Sequence, residues 1–165
     1  MTVIGRFVTT LILILLGSTQ LLWSQTDVEF WFAVPEAARE HEDLPIRLRF
    51  SSGDQATTIS VDQPANSSFR PIVRTIGANS SVTIDLSSFI NILENRQPDR
   101  VRNFGLRIQS SSPVTAYYEL GRLLNTDIFA LKGNNALGTN FYIPGQKFWN
   151  NAPLISESSS SFDIV

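Results

Sequence analysis

The sequence predicts an all-β protein, specifically an antiparallel β-sandwich of short strands. Apolar and polar side chains alternate over short runs, as in strands that bury one face. Clusters of Gly, Pro, Ser, Asn and Asp separate these runs at regular intervals, and no long helical period occurs. Many short strands with turns between them indicate a sandwich or a barrel, and the sandwich is favoured because the sequence shows no even repeat of a closed barrel. Residues 25–165 have the length of one domain.

The first 24 residues have the anatomy of a secretory signal peptide. Arg6 supplies a positive charge, and the apolar run Phe7–Leu16 ends at Gly17. This run is shorter than the roughly 20 residues that a transmembrane helix needs. We expect cleavage after Ser24, leaving Gln25 as the new terminus and no membrane span; an uncleaved membrane anchor is the alternative. Export without any cysteine fits a bacterial protein better than a small animal domain, which usually relies on disulfides.

The first half of the mature chain is expected to form strands over Glu29–Val34, Pro45–Phe50, Thr57–Val61, Phe69–Ile76 and Val82–Leu86. Pro35 should end the first strand, since proline cannot donate to a ladder. The second strand should bury Ile46, Leu48 and Phe50. Its other face carries Arg47 and Arg49. The segment Ser87–Asn95 is expected to form a helical turn or two, with Ser87 or Ser88 as N-cap.

In the second half, we expect a hairpin in which Ser110–Pro113 joins a strand over Asn103–Ser110 to one over Val114–Glu119. Two further strands are expected at Asp127–Leu131 and Thr139–Ile143. A last alternating run, Phe162–Val165, stops where a strand would continue. The sandwich is therefore expected to be incomplete at its C-terminus, and the chain to be a fragment of a longer protein.

Composition excludes several kinds of site. With no cysteine and one histidine, thiolate metal sites, paired-histidine sites and Cys–His catalysis are ruled out. Glycine-rich nucleotide motifs are missing from the sequence. A formal charge of −2 and only two lysines argue against nucleic acid as a partner. We expect no cofactor.

Candidate ligand-binding residues are Arg47, Arg49 and Trp149. Guanidinium forks suit carboxylates and sulfates, such as those of acidic polysaccharides, and an exposed tryptophan can stack on a sugar. Further arginines lie near one loop-to-strand junction, at Arg96, Arg100, Arg102 and Arg107. The alternative is an ordinary outer strand face on which arginines pair with Asp and Glu.

The residues that could support catalysis do not stand in a recognised catalytic motif. His41, the one imidazole, lies in a charged loop with Glu40, Glu42 and Asp43, and no nucleophile elbow accompanies it. That loop also lacks the glycine-punctuated pattern of calcium motifs. Glu119 and Asp127 are the nearest candidates for a carboxylate pair, but an Asp beside Asn125 and Thr126 more often caps a turn. We therefore expect that the protein is not an enzyme.

Three segments, in order, resemble the N-terminal domain of IgGFc-binding protein. The opening Glu29–Ala33 is similar to the family's G-x-x-F-W-x-x-F start, and Ile108–Tyr117 is similar to its I-x-S-x-x-P-V-x-V-Y hairpin. The third segment combines Asn125–Leu131 with Ala136–Tyr142. A departure is Leu131-Lys132, where the family commonly has proline. The resemblance implies an exported binding domain of a surface or matrix protein.

The sequence therefore predicts a secreted, non-enzymatic binding or adhesion module of the extracellular space or cell surface, whose partner is an extracellular protein or glycan. Two alternatives stay open: an accessory domain of a carbohydrate-active enzyme whose catalytic part lies elsewhere, and a structural spacer within a long surface protein.

Overall fold

The computed structural model describes residues 25–35, 44–97, 100–121 and 126–142. Within these ranges the fold is all-β, as predicted. The strands are β1 (Thr26–Phe32), β2 (Val34–Pro35), β3 (Ile46–Ser52), β4 (Thr57–Asp62), β5 (Ile72–Ile76), β6 (Ser81–Asp85), β7 (Glu94–Asn95), β8 (Leu106–Leu120) and β9 (Asp127–Ala130). The helical elements are a 3₁₀ turn at Ser87–Phe89, the single α turn α1 (Ile90–Leu93) and a 3₁₀ turn at Gly133–Ala136. Over the same ranges, none of the helices has the length and apolar character needed to cross a membrane.

Strand β8 organises the main antiparallel sheet. Residues 107–109 of β8 pair with both β1 and β4, whereas residues 117–120 pair with both β3 and β9. A strand can pair along two edges. Strands β4 and β3 therefore pair one after the other along one edge of β8, and β1 and β9 pair one after the other along its other edge. We call β1, the first part of β8, β4 and β5 the first half-sheet. The second half-sheet consists of β9, the last part of β8, β3 and β6.

The two half-sheets share a corner that three chain segments cross. The chain passes from β3 to β4 through residues 53–56, from β5 to β6 through residues 77–80, and along β8 through residues 111–113. Small and polar residues dominate these three bends. The N–H of Asn79 donates to the carbonyl of Gly53 at 2.6 Å, which joins two of them. Strands that change sheets at bends or bulges commonly form such corners in sandwiches.

Side chains from both half-sheets meet in one hydrophobic core. In β3, β4 and β8 the buried residues alternate with exposed or half-buried ones, so one face of each strand is inside. The rings of Phe32 in β1 and Tyr118 in β8 lie 4.6 Å apart between centroids, linking the two halves. The largest fully buried side chains include Phe30, Ile46, Leu48, Phe50, Ile59, Leu86, Leu106 and Ile108. The alternation predicted for β3 and β4 is confirmed.

The expected hairpin at Ser110–Pro113 is wrong. Residues 106–120 form one strand, with the even-numbered side chains facing inward on both sides of these residues. Between Gln109 and Val114, four residues of β8 stand opposite the single residue Val28 of β1, so the segment is a bulge. Serine and proline break the ladder here without reversing the chain, because β8 exchanges its partner β4 for β3 at this point.

Smaller differences concern the ends of elements. Pro35 does not end the pairing, because it belongs to β2, which lies parallel to β7. The strand expected over Phe69–Ile76 begins only at Ile72, and Phe69 packs into the core from the preceding turn. Neither Ser87 nor Ser88 caps the helical turns; the Ser87 hydroxyl instead accepts a hydrogen bond from the N–H of Ile46 at 3.1 Å. Residues 139–142 form no strand.

Several predictions fall outside the described residues. They concern the signal segment 1–24, the loop with His41, the residue Trp149 and the terminal run Phe162–Val165. These stay predictions from the sequence.

Candidate functional site

A shallow depression lies on the outer face of the second half-sheet. Its volume is about 290 Å³. We call it the Arg49 depression; its lining comprises Arg49, Ser51, Ser81, Thr83, Tyr117 and Ile128, with Phe50 and Val82 beneath. Strand pleating places these residues together, since Arg49 pairs with both Thr83 of β6 and Tyr117 of β8. Three aliphatic hydroxyl groups, one phenol and one cation therefore meet on this face.

Glu119 of β8 binds both candidate arginines of β3. Arg47 stands directly opposite Glu119 in the ladder, and its Nη1 donates to Oε1 at 3.2 Å. The Nε of Arg49 donates to the other carboxylate oxygen, Oε2. The Nε of Arg47 also lies 3.9 Å from Oδ2 of Asp85 in β6. Arg47 and Arg49 thus pair with acids on this outer strand face, as the alternative from the sequence expects.

The ionisation of these groups follows from their contacts. Hydrogen bonding and charge attraction from Arg49, followed by the contacts of Arg47, lower the pKa of Glu119, although burial opposes the shift. Hydrogen bonds from Ser87 lower the pKa of Asp85, and the charge of Arg47 adds to them. The pKa of Arg49 is raised by its bond to Glu119. At neutral pH the two carboxyl groups are therefore ionised.

Arg49 keeps hydrogen-bonding capacity for a ligand. The bond of Arg49 to Glu119 uses Nε. Among the described residues, its terminal nitrogens Nη1 and Nη2 donate to no group. Two terminal nitrogens of a guanidinium can hold a carboxylate or sulfate in a fork. Glu119 holds the Nε side of this guanidinium, and Arg49 is one of the residues that line the depression.

A second arrangement occupies the outer face of the first half-sheet. Trp31, Arg107 and Asp62 form one row across β1, β8 and β4. Asp62 accepts two hydrogen bonds from Arg107, at 3.1 Å from Nε and 2.7 Å from Nη2. The same guanidinium lies over the Trp31 ring, 5.9 Å from its centroid. These contacts with Asp62 raise the pKa of Arg107.

The structure separates the arginines that the sequence groups together. Arg107 lies within β8, whereas Arg102 donates to Gln97 and stands 5.9 Å from the ring centroid of Phe104. Arg96 pairs with Glu94 beside α1. Arg107 therefore lies on the first half-sheet, whereas Arg47 and Arg49 lie on the second. The sequence did not single out Arg107 together with Asp62, because residues 45 positions apart become neighbours only through the pairing of β4 with β8.

The carboxylate candidates take local or ionic roles. Glu119 binds the two arginines, and Asp127 at the start of β9 accepts a hydrogen bond from the N–H of Ile128 at 3.1 Å. Across the described ranges, no three Asp, Glu or His side chains converge as metal ligands would. The arrangement suits binding through a guanidinium fork, hydroxyl groups and aromatic rings.

Comparison of the chain with models of protein families, with curated proteins and with solved structures found no match. The resemblance to the N-terminal domain of IgGFc-binding protein therefore stays a prediction.

Proposed function

We propose that the protein is a secreted, non-enzymatic binding module of a bacterial surface or matrix protein, and that it holds an acidic group of its extracellular ligand in the Arg49 depression. One observation carries this proposal: Nε of Arg49 is bound by Glu119, while its two terminal nitrogens are left for a ligand at the edge of the depression. A carboxylate or sulfate on an extracellular glycan fits this fork.

The surroundings of the fork support binding over catalysis. Glu119 and Asp85 both have lowered pKa values, so they are ionised at neutral pH, whereas a general acid needs a raised pKa. Each is also engaged in hydrogen bonds with Arg49 or Ser87. Groups held in this way orient a guanidinium better than they transfer protons.

A binding measurement on the purified full chain tests the proposal. The probes are chondroitin sulfate and polygalacturonate, with dextran as the neutral control. We expect saturable binding to an acidic polymer, and we expect Arg49→Gln to weaken it by about tenfold, the loss of one charged hydrogen-bonding pair. Arg49→Lys should recover only part of the affinity, because an ammonium group cannot form the fork.

Arg74→Gln is the matched control, since Arg74 is an exposed arginine on β5 in the first half-sheet. It should bind as the parent does. Equal losses in the Arg49 and Arg74 variants would mean attraction to charge alone and would refute a site at Arg49. If neither acidic polymer binds, the proposal is wrong and the structural spacer is favoured.

Export is tested separately. Expression of the full gene in a bacterial host, followed by mass spectrometry of the exported protein, should give Gln25 as the first residue. A cell-associated product that begins at Met1 would contradict the cleaved signal and favour the membrane anchor.

A further inference from the structure

We propose that Trp31 is the platform of a second binding site, which takes a neutral saccharide on the outer face of the first half-sheet. This site is separate from the Arg49 depression and does not depend on the function proposed for it. The side chain of Trp31 lies on the outward face of β1, and the residue is 46% exposed. Part of the indole is therefore open to a ligand, on a strand that fixes its position.

The indole of Trp31 is held in place from two sides. Its Nε1 donates to Oε1 of Glu29 at 3.1 Å, which fixes the polar edge of the ring. The guanidinium of Arg107 packs against the ring and is itself fixed by its two hydrogen bonds to Asp62. Little side-chain freedom is therefore left to lose on binding, which favours affinity for a small ligand.

The neighbouring positions supply polar groups of the kind that hydroxyl-rich ligands need. A second row, Glu29, Gln109 and Ser60, runs beside the row of Trp31 across the same three strands. Carboxylate, amide and hydroxyl groups thus lie in the row next to the ring on the same outer face. A pyranose ring presents C–H bonds on its face and hydroxyl groups around its edge, so it matches an aromatic platform with a polar border.

Charge distinguishes a neutral ligand from an acidic one. The two rows contain one cation, Arg107, and two carboxylates, Glu29 and Asp62. Arg107 is already bound in two places by Asp62, so no cationic fork faces an incoming anion. Acidic polymers are repelled by the remaining negative charge, and a neutral saccharide is not. A protein partner is less suited, since a single ring within polar neighbours is far smaller than the apolar centre of a protein interface.

Isothermal titration of the full chain with cellohexaose, xylohexaose and chitohexaose tests the site. We expect at least one of these neutral oligosaccharides to bind. Trp31→Ala should weaken binding by tenfold or more, whereas Trp31→Phe should weaken it less, because a smaller ring still stacks. Tyr142→Ala is the matched control, because it also removes an exposed aromatic ring, and it should leave this affinity unchanged.

The outcomes separate the two proposals. Loss of neutral-saccharide binding in the Trp31 variants, with unchanged binding of acidic polymers, supports two independent sites. If none of the three oligosaccharides binds, or if Trp31→Ala binds as tightly as the parent, the Trp31 site is refuted whatever the result at Arg49. A Tyr142→Ala variant that loses neutral-saccharide binding would also refute it.

Discussion

The hydroxyl of Thr57 accepts a hydrogen bond from the backbone N–H of Ser112 at 3.1 Å, across the corner where the two half-sheets meet. Thr57 is the first residue of β4 and is 2% exposed. Ser111 completes the link, because its hydroxyl accepts from the N–H of Thr58 at 3.0 Å. These side-chain bonds occur where β8 has left β4 and not yet joined β3. They supply hydrogen bonds where β8 is paired with neither β4 nor β3.

Thr57→Val should therefore destabilise the fold. The substitution keeps the shape of the side chain but leaves the N–H of Ser112 without its acceptor, at a cost of about 1–3 kcal/mol in the free energy of unfolding. Urea denaturation measures the effect. Thr83→Val is the control, since Thr83 is an exposed residue of β6, and it should change stability by less than about 0.5 kcal/mol. Equal effects of the two substitutions would contradict the role of the corner.

Gln63 is a second buried polar group, 3% exposed, that joins separate parts of the chain. Its Nε2 donates at 2.8 Å to the carbonyls of both Ile92 and Phe104, and its Oε1 accepts from Asn66. Gln63→Leu should cost about 1–3 kcal/mol in urea denaturation, because two carbonyls lose their donor in a buried place. Gln55→Leu, at an exposed position of the bend after β3, is the control. A neutral result for Gln63→Leu would show that water replaces the amide.

The strands were predictable from the sequence where one face is buried. Ile46, Leu48 and Phe50 alternate with two arginines. When one face of a strand is buried, its apolar residues must occupy that face, which fixes the register of the strand. The corner was not predictable, because Ser110–Pro113 has the composition of a turn. Serine and proline indicate only that the ladder is interrupted. Whether the chain then reverses or continues depends on which strands lie beside it, which is a long-range property.

In the candidate sites, too, local alternation was predictable and long-range strand pairing was not. Arg47 and Arg49 could be placed on an outer face from local alternation alone. Their shared partner Glu119 lies about 70 residues along the chain and is brought to them by the pairing of β3 with β8. The platform at Trp31 also depends on such pairing, since its neighbours Arg107 and Asp62 come from two other strands.

The pKa of Glu119 predicts how stability responds to acid. Because folding lowers this pKa below its usual value of about 4.3, the ionised group stabilises the fold above that pH. The contribution is lost as the pH falls through the lower pKa of the folded state. Glu119→Gln should thus lower the melting temperature by a few degrees at pH 7 and have little effect near pH 2.

Thermal denaturation between pH 2 and pH 7 checks this dependence. Asp54→Asn, in the exposed bend after β3, is the matched control because it also removes one carboxylate. The curves of the parent and the Glu119 variant should converge in acid, while the control follows the parent throughout. A constant difference between parent and Glu119→Gln at every pH would contradict the ion pairs as its cause.

Gly133 is required by the contact between β1 and the 3₁₀ turn at Gly133–Ala136. Its φ of +51° lies in the left-handed region, and an added Cβ would come within 2.5 Å of Oδ2 of Asp27. The Asp27 carboxylate accepts hydrogen bonds from the backbone N–H of Asn134 at 2.7 Å and from its side-chain amide at 3.1 Å. A methyl group at residue 133 would push this carboxylate aside.

Gly133→Ala should lower the free energy of unfolding by about 1–3 kcal/mol, from backbone strain and the lost contacts together. Hydrogen exchange should also become faster at the amide of Asn134, which would no longer donate to Asp27. Asp27→Ala should speed the same amide without straining the backbone. Gly53→Ala is the control, because a Cβ there meets nothing within 4 Å. Slow exchange at Asn134 in both the Gly133 and Asp27 variants would show that other contacts hold the turn against β1.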